Sequence, residues 1–130
     1  MIVVDASVVV EAVAGTSRRN LEPLQRIARD ASLAPQVLDL AVLSALRGLL
    51  RREVIVEPVA HNSLWHLARL PIRRVSQEPL LERCWELRDN LTAYDACYVA
   101  LAEVTGATLL TRDRRLAGAP GVRCEIELLE

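Results

Sequence analysis

The sequence predicts an α/β fold on a mainly parallel sheet, and three observations carry that prediction. Ile2-Val3-Val4 is short, β-branched and unalternated, as suits a central strand covered on both faces. Thr108-Leu109-Leu110-Thr111 is a second buried run of the same kind. Between and beyond them, strand-like and helix-like segments alternate, the order that builds βαβ units.

Taken in order, the first strand leads into a short helix from Ser7 to Val13, which breaks at Gly15-Thr16-Ser17. Asn20 can cap a second helix to about Ala31, with Leu21, Leu24, Ile27 and Ala28 on one face. Leu33-Ala34-Pro35 reads as a short strand entering a turn. Gln36 to Arg52 is strongly helical, and its apolar content exceeds what one face needs to bury, which suggests an interface. Pro58 opens a helix that carries Trp65 and stops before Pro71, and Ile72 to Val75 forms a short strand. Pro79, just inside a start marked by Ser76 or Gln77, opens a helix ending near Asn90. Thr92 caps the helix containing Asp95, which ends at Gly106. After the strand Thr108 to Thr111 come a short helix, Arg114 to Ala117, and a final strand, Val122 to Leu128. With no repeat, low-complexity stretch or linker, residues 1–130 read as a single domain.

Composition narrows the function. The chain is 52% hydrophobic and 25% charged, an ordinary globular balance. Its net charge of −1 provides no global basic field for nucleic acid. All its basic residues are arginines, which fits a GC-rich genome and also bidentate phosphate contacts. Cys84, Cys97 and Cys124 are odd in number, widely spaced and without a CxxC pair, so they read as buried thiols of a reducing compartment. No secretory signal opens the chain, and no apolar run approaches the roughly 20 residues needed to span a bilayer. A cytoplasmic protein without membrane contact is expected.

Three of the six aspartates sit where an apolar segment would normally refuse a charge. Asp5 closes Met1-Ile2-Val3-Val4, Asp95 is the only charge in residues 93–102, and Asp113 follows Thr108 to Thr111 with Arg112 between. Such carboxylates are costly unless hydrogen-bonded, paired or bound to a cation. In open parallel sheets, sites lie beyond the carboxyl ends of strands, where Asp5 and Asp113 both fall. Asp95 occupies the first turn of a helix, where the dipole favours an anion. Three oxygen donors meeting there would suit Mg²⁺ or Mn²⁺ rather than zinc, and the natural chemistry is phosphoryl transfer. Each acid also has a structural reading: Asp5 could cap the first helix and Asp113 the turn into Arg114-Arg115-Leu116. Asp95 resists that reading, because Thr92 is already available as the cap. Arg112 and Arg114, which flank Asp113, are candidate phosphate contacts, and Thr111 could hydrogen-bond a phosphate or a water on the ion. His61 and His66 share no helical face, and Tyr94 and Tyr98 read as core or interface.

The segments MIVVDAS, LTAYDACYVALAE at 91–103 and LLTRDRRLA at 109–117 resemble the PIN-domain nucleases, and within them the VapC-type toxins of bacterial toxin–antitoxin pairs. The resemblance covers essentially the whole chain. It implies a three-layer α/β/α sandwich around a parallel sheet. It also implies Mg²⁺- or Mn²⁺-dependent endoribonuclease activity, commonly on transfer or ribosomal RNA. A homodimer and a cognate antitoxin whose tail covers the acidic site are further implied. Carried over by motif, Asp5, Asp95 and Asp113 would hold the ion, orient the attacking water and position the scissile phosphate.

One position departs from the family pattern. Where the family carries a glutamate, in a segment resembling LLDLEVLSALR, this chain has Ala41. Asp39 is a poor substitute, because two positions along a helix rotate it by about 200°. The residue invites two explanations: deliberate disarming of a toxin that would poison its host, favoured because the rest of the motif is intact, or a natural variant with weakened activity. Outer-shell losses at metal sites cost about 10–100-fold, and a missing near-metal carboxylate should cost at least that. The expectation is therefore weak or no cleavage, with a non-catalytic module that binds antitoxin or RNA as the alternative. A response-regulator receiver needs a lysine that is lacking here, and a haloacid-dehalogenase-type phosphatase needs a second aspartate where Ser7 stands.

Overall fold

In the computed structural model, which describes residues 1–15 and 21–130, five strands form one sheet of order β3-β2-β1-β4-β5 with every pairing parallel. The strands are β1 (Ile2–Val4), β2 (Ser32–Pro35), β3 (Ile72–Val75), β4 (Thr108–Thr111) and β5 (Ile126–Leu128). The helices are α1 (Ala6–Ala14), α2 (Leu21–Arg29), α3 (Leu38–Arg51), α4 (Glu57–Arg69), α5 (Leu81–Glu86), α6 (Ala93–Thr105) and α7 (Arg114–Ala117). The expected break through Thr16-Ser17 and the Asn20 cap lie outside the described residues.

Layering follows from which residues are apolar all round. Val3, Val4, Leu109 and Leu110 are fully buried, so the β1–β4 pair is covered on both faces. In α6 every residue from Ala96 to Ala102 is buried, the mark of a helix with no solvent face. It packs against β1, β2 and β4 on one side of the sheet, with α5 beside it. On the other side α1 packs with α2, α3 and α4. The architecture is therefore the α/β/α sandwich that was expected. The edge strand β3 carries Arg73 and Arg74, charges that discourage further strand addition.

Three elements differ from the reading of the sequence, each for a local reason. α2 buries Pro23 and Ile27, while Leu21 and Ala28 are exposed, so its inward face is turned from the expected one. The helix expected from Pro79 to about Asn90 is a 3₁₀ turn, Glu78–Leu80, followed by the six residues of α5. Its apolar stripe continues through Leu80, Cys84, Leu87 and Leu91, all buried, but beyond Glu86 the amides of Arg88 and Asn90 bond three residues back. The last strand begins at Ile126 rather than Val122, because the Arg123 amide donates to Glu103 Oε2 (2.8 Å) and holds that segment against α6.

The thiols fit the expectation in part. Cys84 and Cys97 are buried with their sulfurs 3.7 Å apart and unbonded covalently, whereas Cys124 is half-buried. Burial, with Cys84 adding to it, pushes the Cys97 thiol up to about 12.

Candidate active site

The strand order reverses between β1 and β4. The chain proceeds outward from β1 through β2 to β3, then returns to pair β4 with the other edge of β1. That switch point leaves a crevice at the carboxyl ends of both strands; β1 delivers Asp5 into it, and β4 brings Asp113 to the same sheet edge. Asp5 follows β1 directly, its amide donating to Leu110 O (3.0 Å) and continuing the pairing. Asp113 lies two residues beyond β4.

Asp5 is buried, and its carboxylate is held by two hydroxyls. Ser7 Oγ (2.6 Å) and Thr111 Oγ1 (2.8 Å) both donate to Oδ2. Each hydroxyl also accepts an amide from the β4 loop, Ser7 from Arg112 (3.0 Å) and Thr111 from Asp113 (3.0 Å). Two relays thus tie the loop after β4 to the end of β1 and fix the Asp5 rotamer. Asp5 stands at the N-cap position of α1 but makes no side-chain cap, so the capping alternative does not describe it. Burial, with the nearby Asp95 charge adding to it, raises the Asp5 pKa against the pull of Ser7 and Thr111. Among the described residues no basic side chain pairs with it.

Asp95 is presented by the first turn of α6, while Thr92 Oγ1 accepts the Asp95 amide (3.1 Å) as the cap. Asp113 does cap α7, its Oδ1 accepting from the Arg115 (2.9 Å) and Leu116 (3.3 Å) amides. The remaining oxygens of both acids turn to one guanidinium. Arg115 Nη2 lies 2.9 Å from Asp95 Oδ2 and 3.5 Å from Asp113 Oδ2.

Asp5, Ser7, Ala41 and Asp95 line one cleft of about 1020 Å³, together with Glu11, Tyr94 and Arg112. Ala41 projects from α3 into this cleft and offers it a methyl group. Asp113 is not among the lining residues. Asp39 is outside it too, bound to Arg74 Nη2 (2.8 Å) across to β3. Thr111 is fully buried and spends its hydroxyl on Asp5, so it positions that acid from behind. Arg112 reaches the cleft but pairs with Glu11 (2.8 Å), and Arg114 pairs with Glu130 (3.3 Å) outside it. Tyr98, three residues after Asp95 on α6, is buried, and its hydroxyl finds no partner among the described residues. Burial, and then the Asp5 charge, pushes its ionisation upward.

A hard divalent ion fits this donor set in kind. The acids supply oxygen ligands only, Asp5 is a buried carboxylate lacking a positive partner among the described residues, and the other two already share one positive group. As the side chains stand, no three acidic, histidine or cysteine groups among the described residues converge closely enough to hold an ion. Ala41 contributes no donor, and Arg115 takes up Asp95 and Asp113. Reading the sequence singled out the three acids but left Ser7, Glu11 and the individual role of Arg115 unassigned. The spacing of Thr111, Asp113 and Arg115 was the available signal for the last of these.

A sequence model of the PIN domain matches residues 2–122. Ribonuclease VapC1 of Mycobacterium tuberculosis is 43% identical over 128 residues, spanning 98% of this chain and 96% of that protein. Among solved structures, VapBC2 from Rickettsia felis bound to a DNA fragment from their promoter superposes with a TM-score of 0.70 at 14% identity, covering 100% of both chains. The Sarcin-Ricin loop cleaving toxin VapC20 of Mycobacterium tuberculosis superposes at 0.65 and 19% identity, covering 95% of this chain and 99% of that one. At these identities the two structures speak for the fold.

Proposed function

This chain belongs to the PIN-domain family, and from that membership we propose that it is a VapC-type endoribonuclease toxin weakened or silenced by Ala41. The reading includes dependence on Mg²⁺ or Mn²⁺ and restraint by a cognate antitoxin. The observation that carries it is the shared cleft at the switch point, bordered by Asp5, Asp95 and Ala41, with Asp113 joined to Asp95 through Arg115. The ribonuclease name of the VapC1 relative supports the reaction class.

Asp5, Asp95 and Asp113 would hold the ion. When bound, it would supply Lewis acidity at the scissile phosphate and ease attack by water. The chain's own residues do the positioning. Ser7 and Thr111 hold Asp5 in a single orientation, so that its charge faces the cleft at no cost in reorganisation. The first turn of α6 presents Asp95 beside it, with the helix dipole favouring its charge. Arg112 lies where an RNA phosphate entering the cleft would pass, and Arg114 where the chain could follow outside it. Leu40 and Leu43 on α3 stay exposed, which supports a homodimer or antitoxin contact along that helix. The cell location that goes with this reading is the cytoplasm. No helix among the described residues is long and apolar enough to cross a membrane.

The methyl of Ala41 in the cleft favours a second reading, a PIN-fold module that binds antitoxin or RNA without cutting. Growth on induced expression separates the two. Ala41→Glu should arrest growth where the present chain does not, and adding Asp95→Asn should relieve the arrest. Continued growth with the glutamate in place would favour the binding module.

A further inference from the structure

We infer that Arg115 is a built-in competitor of the divalent ion, a tethered cation that bridges Asp95 and Asp113 and must leave before an ion can use them. The inference rests on the metal-dependent reading above. Three arginines follow one another around Asp113, and the structure separates their roles. Arg112 is engaged by Glu11 and Arg114 by Glu130, each away from the aspartate pair. Arg115 alone of the three faces the acids, one nitrogen serving both carboxylates at 2.9 and 3.5 Å.

Its attachment explains why it competes rather than locks. The Arg115 backbone is fixed through its amide to Asp113 Oδ1, so the guanidinium always starts within reach of the pair. Its side chain is 66% exposed, so it can swing into solvent without opening the core. A guanidinium keeps its charge at every ordinary pH, so only a rival cation or a change of residue removes it. Asp5, held by Ser7 and Thr111, would remain the fixed acid of the site. An exposed ion pair couples weakly, which makes Arg115 a brake on metal affinity of a few fold rather than a block.

The test is Mn²⁺ binding by this chain as it stands, read from the electron paramagnetic resonance signal of the free ion. The Arg115→Gln variant should bind Mn²⁺ about three- to five-fold more tightly, the size expected from releasing an exposed pair. Arg115→Lys keeps the charge and should stay within about two-fold of the parent, which a purely structural role would not require. Thermal melting without metal checks that each variant is folded. Equal or weaker binding by Arg115→Gln, with the parent binding normally, would overturn the inference and leave the metal-dependent reading intact. Absence of Mn²⁺ binding in all three proteins would overturn both.

Discussion

Asp5 is a buried acid whose position costs stability. It is buried and ionisable, with hydroxyls but, among the described residues, no basic group to support its charge. Asparagine keeps the shape and can still accept from Ser7 and Thr111, so Asp5→Asn should stabilise the protein near neutral pH. The sign follows from the raised pKa of the folded state. Below the ordinary value of 3.8 both states are protonated, and the two proteins should melt alike. As pH rises past it, the unfolded chain ionises first and the aspartate form loses stability relative to the asparagine form. The gap should stop widening above the folded-state pKa, each 1 kcal/mol of it corresponding to about 4 °C in melting temperature. A lower melting temperature for Asp5→Asn at pH 7 would contradict this account. The pairing of Asp95 and Asp113 through Arg115 was only weakly signalled in the sequence, because the three arginines around Asp113 do not by themselves say which one turns to the acids.

Elements were legible where one local signal was decisive. Thr92 and Gly106 bracket α6, and both act as read, one as the side-chain cap and the other in the left-handed conformation at φ 71°. Boundaries failed where a tertiary contact outweighed local preference, as when Glu103 draws the Arg123 amide away from β4 and shortens β5. Glu103 also receives Arg83 in a two-pronged pair, 2.7 and 3.1 Å, that fastens α5 to α6. Burial alone would raise its pKa, but Arg83 and the Arg123 amide together hold it below the usual glutamate value. Glu103→Gln should therefore cost about 2 kcal/mol in urea unfolding at pH 7, as expected for a charge-assisted pair with little exposure. The stabilisation is complete above the unfolded value of 4.5 and is lost as pH falls through the folded one, so the difference should shrink in acid. A loss that is the same at pH 3 and pH 7 would mean that charge is not its source.

At the scale of the whole molecule, the alternation of strands and helices was enough for a parallel sheet, and the position of two aspartates just after strands was enough for a shared edge. Strand order was not legible, since nothing in the residues of β4 says that it pairs with β1. That pairing is what brings Thr111, 106 positions away, to Asp5. Ala41 was legible as a departure from the family pattern, and it lines the same cleft as Asp5 and Asp95. The most direct test compares this chain, Ala41→Glu, and Ala41→Glu with Asp95→Asn in Mn²⁺-dependent cleavage of total RNA. The account predicts cleavage by Ala41→Glu alone, at least about 10–100-fold above the other two. Equal cleavage by the present chain and Ala41→Glu, or cleavage that survives Asp95→Asn, would contradict it.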